Sequence, residues 1–251
     1  CARAATLAGV GILVILAAVV AFRFIEALPA LSPNADFSGK AESPLSYVVP
    51  FVFGTIYASV IALLIATPLA IGIALFISHY ADRRLSSVLG YIMDLLAAIP
   101  SVVYGLWGIL VLAPFLNPSF VWLNENLAWV PLFAGQVSAT GRTMLTVGIV
   151  LALMVLPVMS ALIREVFLQT PRLHEQAALA LGATRWEMIK MAVLPFGRAG
   201  IISATMIGLG RALGETMAVP LVLSPAAIIH FALLTSQTSH TIAPTIALHF
   251  P

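Results

Sequence analysis

The chain alternates long apolar runs with short polar connections, and five of those runs are long enough to cross a bilayer. They are Thr6–Phe22, Val48–Ser78, Val88–Leu116, Met144–Ile163 and Ile201–Leu223, against the roughly 20 apolar residues that a spanning helix needs. The runs are continuous, whereas the strands of a membrane barrel alternate apolar and polar residues over about ten positions. The pattern therefore predicts an all-α membrane protein. A sixth apolar stretch, 226–234, has nine residues and carries His230. That length suits a loop or re-entrant element better than a span.

Composition supports this reading. Of 251 residues, 61% are hydrophobic and 9% charged, and the mean hydropathy is +1.07. Water-soluble surfaces carry about a quarter of their residues as charges, so most of this surface must face lipid or partner proteins. Five spans and their connections fill the length and leave no room for a catalytic domain. The lone cysteine, Cys1, offers no intrachain disulfide. The chain starts without methionine and stops at Pro251, so both ends are expected to be trimmed. The net charge is +2, but the basic residues are scattered rather than banded, which argues against nucleic acid as a ligand.

Lysine and arginine placement sets the orientation. With the N-terminus inside, the inner segments hold Arg3, Arg83, Arg84, Arg164, Arg172, Arg185, Lys190 and Arg198. The outer segments hold only Arg23, Lys40 and Arg142, and Arg211 falls within a span. The N-terminus is thus expected in the cytoplasm and segment 224–251 outside. A signal peptide is the alternative for the first run, although its apolar core is longer than such peptides use. Pro68, Pro100, Pro157 and Pro220 fall inside four of the runs. They read either as kinks in a packed bundle or as the broken helices that transporters use.

The longest inner segment, 164–198, holds the clearest local signals. Thr170 before Pro171 reads as a helix start and Gly182 as a left-handed stop. Thr184-Arg185-Trp186-Glu187 fits a capping box that opens a second helix, expected to end near Leu194-Pro195. Gln176, Ala177, Ala178 and Ala180 give the first helix a face of small residues. Trp186 and Met188 suit a pocket on a partner.

The order Gln176-Ala177-Ala178, then Gly182, then Leu194-Pro195 resembles the EAA motif of permease subunits in bacterial ABC importers. Gln176 stands where that motif has glutamate, with Glu175 one place earlier, and Ala192 stands where it usually has isoleucine. The stretch from Asp94 to Gly108 (DLLAAIPSVVYGLWG) and that from Gly210 to Val219 (GRALGETMAV) are similar to the third- and fifth-helix signatures of the PstC-type permease of phosphate-specific importers. By these motifs the chain is identified as a member of the binding-protein-dependent inner-membrane component family.

The resemblance implies the type I importer permease fold in a single transmembrane domain over 1–251, with a sixth span absent from this chain. It implies that 164–198 docks on an ATPase, with Glu175, Gln176, Ala177, Ala178, Gly182, Ala183, Thr184 and Trp186 at the contact. It also implies four partners: a second, related permease, an ATPase dimer, an external phosphate-binding protein and inorganic phosphate. The chain takes no cofactor of its own, because ATP is bound and hydrolysed by the partner subunit. Rival readings are a permease for sulfate, molybdate or an amino acid, an ATP-independent transporter and an intramembrane enzyme. Against the last stands the lack of a paired carboxylate, a ligand cluster or an activated nucleophile.

Arg211 and Glu215 lie within an apolar run, where a charge facing lipid would cost at least about 2.5–3.5 kcal/mol. Spaced by four on a helix, they are expected to share a face and pair, with Gly210 and Gly214 forming a GxxxG seam beside them. Two readings stay open at this point. The pair is a structural bridge, or it lines the translocation path with Thr216 and Ser101. In the second reading the guanidinium fork matches two oxygens of phosphate. An ionised carboxylate accepts a hydrogen bond from P–OH and repels sulfate, which has no proton. The Pro100-Ser101 break adds backbone N–H groups at the start of a half-helix. Asp94 is expected at the inner interface, or paired with Arg83 or Arg84.

Three other signals carry no chemistry. Gly208, Gly210 and Gly214 miss the spacing of a nucleotide loop. The five histidines lack metal-ligand spacing, so no metal site is expected. Trp107, Trp122 and Trp129 read as interfacial belt residues.

Overall fold

A computed structural model describes residues 2–31, 44–223, 225–226, 229–235 and 238–249. Cys1, Lys40 and parts of 224–251 lie outside the described residues. The chain divides into two compact units, Cys1–Val49 and Pro50–Pro251. In the first, α1 (Ala2–Ala27) runs into a 3₁₀ turn (Leu28–Leu31). Arg23 Nη1 donates to Glu26 Oε2 at 3.1 Å on its surface.

The second unit holds most of α2 (Pro44–Leu75), which widens into a π turn at Phe76–Tyr80. There follow α3 (Arg83–Ala98), α4 (Ser101–Trp107), a π turn (Gly108–Leu112) and α5 (Ala113–Leu127). Then come α6 (Met144–Leu168), α7 (Arg172–Ala180), α8 (Arg185–Met188), a third π turn (Ile189–Val193) and α9 (Leu194–Leu213). Last are α10 (Ala218–Val222), two parallel two-residue strands (β1, Pro225–Ala226; β2, Thr238–Ser239) and α11 (Ile242–His249). Five helical stretches are long and apolar enough to cross a membrane: Thr6–Ala27, Leu45–Tyr80, Ser101–Leu127, Met144–Leu168 and Arg185–Leu213.

Two spans differ from the sequence expectation. The third was expected over Val88–Leu116 and runs over Ser101–Leu127. Pro100 drives the preceding residue out of the helical region, and Ile99 sits extended at φ −66°, ψ 130°. That break detaches α3 as a separate amphipathic helix. The fifth was expected over Ile201–Leu223 and runs over Arg185–Leu213, because the helix continues through its expected inner limit and stops early at Gly214. Leu194-Pro195 does not stop the helix. Proline removes a donor and crowds the carbonyl four residues back, and Met191 lies inside the π turn that absorbs this crowding. Pro114 follows the π turn of Gly108–Leu112 in the same way. Pro68 and Pro157 lie within continuous helices, whereas Pro220 sits in the short α10.

The core forms around α6, which is apolar on all sides and buried along most of its length. Its neighbours reach it by presenting small residues, the usual means of close helix approach in lipid. Along α2, Ala58, Ala62, Ala66, Ala70 and Ala74 recur every fourth residue and are all buried. Gly148 of α6 receives the Ile61 side chain with no space for a Cβ. On α9, Gly197 meets the Phe167 ring, Gly200 meets Val166, and Gly208 meets Met159 and Val155.

The stretch expected to be a loop or re-entrant element is non-helical where described. Its Ala232–Thr235 part is buried and docks on the 128–143 connection. Leu233 N donates to Leu132 O at 2.8 Å, and Ser138 N donates to Leu234 O at 2.9 Å.

Gly148→Val adds bulk against the Ile61 side chain where no void exists. It is expected to destabilise the protein by about 1–3 kcal/mol through overpacking. Thermal unfolding of the purified protein in detergent measures this, and Gly72→Ala, at an open position of α2, serves as the near-neutral control.

Candidate functional site

The chemistry expected in one helical turn is divided by the end of a helix. α9 stops at Leu213 with Gly214 as its C-cap, so Arg211 sits in the last helical turn and Glu215 lies beyond it. The two side chains do not pair, since Glu215 spends its Oε1 on backbone N–H groups. Among the described residues, no neighbouring helix of this chain packs on Gly210 and Gly214. A Cβ at Gly210 would meet nothing, and one at Gly214 would meet only the carbonyl of Gly210. Gly208 makes the close helix contact instead.

Glu215 is buried, and its Oε1 accepts hydrogen bonds from Met217 N at 2.9 Å and Ala218 N at 2.8 Å. It therefore caps the start of α10, where backbone N–H groups point outward unpaired and a negative charge is favoured. The other end of α10 is held by Arg142, whose Nε donates to Val222 O at 3.2 Å and Nη2 to Leu221 O at 3.0 Å. Arg142 had been counted only as an outer charge, and no local sequence signal reveals this contact 80 residues away. Five residues cannot sustain a helix unaided. The two charged side chains sustain this one.

α10 rests on α4. A Cβ at Gly105 would strike the Cα of Ala218, 2.8 Å away, so this crossing requires glycine. Ser101 lies four residues before Gly105, on the same face of α4. Tyr104 bridges the broken segment, its hydroxyl donating to Leu96 O at 2.8 Å, and its phenol is close enough to interact electrostatically with Arg211. Thr216 is half-buried in the non-helical link between α9 and α10. Arg211, Glu215 and Thr216 thus gather at one junction, beside the α4 face that carries Ser101. Tyr104 is a further member that sequence reasoning did not single out.

Asp94 does not pair with Arg83 or Arg84. Ten or eleven residues along one helix separate them by about 15 Å. Asp94 instead lines a small cavity with Ser160 and Arg164 of α6, and Gly90 gives the Arg164 guanidinium the space it occupies.

The inner segment folds as a helix, a glycine turn and a second helix. Gly182 adopts φ +86° with open space around it. Thr184 and Glu187 form the capping box in both directions, at 3.3 Å from Glu187 N to Thr184 Oγ1 and 2.7 Å from Thr184 N to Glu187 Oε2. The N-cap of α7 is Pro171 rather than Thr170, whose hydroxyl is buried without a partner. Gln176 and Ala177 are exposed, Ala178 and Ala183 half-buried. Trp186 is half-exposed with Lys190 Nζ 5.2 Å from its ring centroid. An open apolar groove of about 650 Å³ runs between α7 and the start of α9, with Leu181 at its rim 90% exposed. Glu175 turns the other way and meets His79 on the π turn of α2.

Apolar spans, a charged break at the end of α9 and a helical hairpin at 164–198 suit a membrane transport subunit. Residues 66–248 match the family of binding-protein-dependent transport system inner membrane components, and the chain belongs to that family. It is a multi-pass protein of the cytoplasmic membrane with the type I importer permease fold. It is 48% identical over 234 residues to the phosphate transport system permease protein PstC 2 of Mycobacterium tuberculosis, covering 89% of this chain and 72% of the relative. The phosphate transport system permease protein PstC of Mycobacterium leprae is 48% identical over 216 residues, 82% and 68% of the two chains. The probable counterpart in Methanocaldococcus jannaschii is 36% identical over 242 residues, 92% and 76%.

Glu215→Ala removes the cap of α10 and is expected to lower stability by about 0.5–2 kcal/mol, whereas Glu215→Gln keeps an acceptor oxygen in place and loses far less. Denaturation of the purified protein compares the two.

Proposed function

We propose that this chain is the membrane subunit of an ABC importer that carries inorganic phosphate inward. In this reading it pairs with a second, related permease, receives phosphate from an external binding protein and is driven by a dimer of ATPase subunits. It catalyses no reaction itself and takes no cofactor, ATP being bound and hydrolysed by the partner. The observation that carries the reading is the junction of α9 and α10, where a guanidinium in the last turn of an apolar span and a carboxylate just beyond it do not pair. It is supported by the 48% identity to permeases named for phosphate transport.

The unpaired state of Arg211 matters. A guanidinium bound to a carboxylate would be neutralised, whereas this one keeps its fork for an oxyanion. Glu215 binds backbone N–H groups through Oε1 and leaves Oε2 uncommitted. That oxygen accepts a hydrogen bond from the P–OH that phosphate retains at neutral pH, and repels an anion that lacks a proton. Arg211 attracts, and Glu215 selects. The cytoplasmic face supplied to the ATPase is the hairpin bearing Gln176, Ala177, Ala178, Gly182, Ala183, Thr184 and Trp186.

Arg211→Gln removes a charge-assisted contact worth about 1.5–3 kcal/mol, so phosphate uptake is expected to fall roughly ten- to a hundredfold. Glu215→Gln is the more specific probe. Its amide oxygen remains on the α10 cap while its NH₂ replaces the free carboxylate oxygen, so a donor stands where an acceptor was. Sulfate is then expected to compete with radiolabelled phosphate in cells carrying the whole importer. Unchanged discrimination would remove Glu215 from selectivity, and unchanged uptake by Arg211→Gln would remove this junction from the path.

A further inference from the structure

In the coupling hairpin, the acidic side chain faces inward. Glu175 Oε1 lies 3.5 Å from Nε2 of His79, with the two side chains 24% and 10% exposed. Gln176, at the motif's acidic position, is exposed and carries no charge. At this position of α7 the hairpin therefore presents an uncharged polar residue outward, while Glu175 meets its own chain.

The far side of this contact is built to hold. His79 sits on the π turn that ends α2, a widening of the kind often found at functional sites. Its Nδ1 lies 2.7 Å from Ser78 Oγ, and Ser78 Oγ in turn donates to Ala74 O at 2.7 Å. With the hydroxyl proton directed to Ala74 O, Ser78 Oγ is left to accept from the imidazole Nδ1, and Nε2 is the ring atom that faces Glu175. The ring also packs edge-on against Phe167, near the end of α6, at 6.5 Å. Ala74 is the last rung of the alanine ladder that seats α2 against the core, and Phe167 is the residue on which Gly197 of α9 closes. The imidazole thus touches the terminal turns of two core helices at once.

We infer that the Glu175–His79 contact is the tether through which movement of α7 reaches the membrane bundle, with His79 as the positioning residue and the end of α2 as the receiver. Gly182, open on all sides, lets α7 move relative to α8. Without the tether, α7 could follow an ATPase while α2 stayed behind. With it, the end of α2 is drawn along, and α2 is keyed to α6 where Ile61 seats on Gly148. The inference rests on the proposed function for the meaning of transport, but the link from α7 to α2 does not depend on which ligand is carried.

The test uses the whole importer with Ser101→Cys as a reporter in a Cys1→Ser background. Trapping the ATPase with vanadate and ATP is expected to change the rate at which a hydrophilic maleimide labels position 101. In Glu175→Gln and His79→Gln that change disappears and phosphate uptake per ATP hydrolysed falls about tenfold, the scale of a typical coupling energy, while the ATPase still copurifies. His79→Lys, which keeps a cation at the site, retains the labelling change, and a structural role of the ring alone would not predict that rescue. The tether is overturned if trapping alters labelling in Glu175→Gln as in the parent. It is equally overturned if Glu175→Gln releases the ATPase, which would place the carboxylate on the outer contact. A parent complex that carries no phosphate but shows the labelling change refutes the proposed ligand and leaves the tether standing.

Discussion

Close approach to α6 is the constraint on which the remainder of this structure depends. In lipid, apolar surface gains little by being covered with other apolar surface, so helices associate through dense packing of side chains and backbones. α6 supplies the bulk: Phe167, Met159, Val155 and Leu151 are all buried. α2 and α9 supply the absences, as alanines every fourth residue on one and glycines on the other. Bulk and absence are complementary only in one register. A helix sliding by one residue against α6 would drive a side chain into a backbone.

A second constraint explains the irregularities. A backbone within the membrane must satisfy its polar groups internally, yet this chain carries proline near the start of α5 and α9. In both cases a π turn precedes the proline and widens the helix where its ring would clash. Continuity is kept, with helical backbone on both sides of each π turn. At Pro100 the chain takes the other course and breaks. There the Tyr104 hydroxyl satisfies the freed Leu96 carbonyl from the next helix, so the break itself is internally hydrogen-bonded.

These two constraints also mark where the sequence could be read and where it could not. The number of spans, the helical class, the glycine turn at 182 and the capping box at Thr184 all depend on neighbours within a few residues, and each was legible. The limits of the third and fifth spans were not. Pro100 was taken as lying inside a helix and Pro195 as ending one, whereas the chain breaks at Pro100 and a π turn carries the helix past Pro195. The pairing of Arg211 with Glu215 was inferred from spacing alone, and spacing means proximity only while the helix lasts. What Glu215 does instead is local. A carboxylate two and three residues before a pair of free amides is a cap that the sequence allowed but did not single out. Arg142, Tyr104 and His79 draw their roles from partners far along the chain, or across a break, which no periodicity encodes.

The capped turn at α10 ties two events together. The carboxylate that faces the junction is also what holds Met217 and Ala218 in a helical start, so it cannot swing both oxygens toward a visitor without loosening the peptide that rests on Gly105. The order of the short helix above the junction is thus linked to whichever contact Oε1 makes. Any ligand that draws Glu215 fully to itself melts a turn of backbone as it does so.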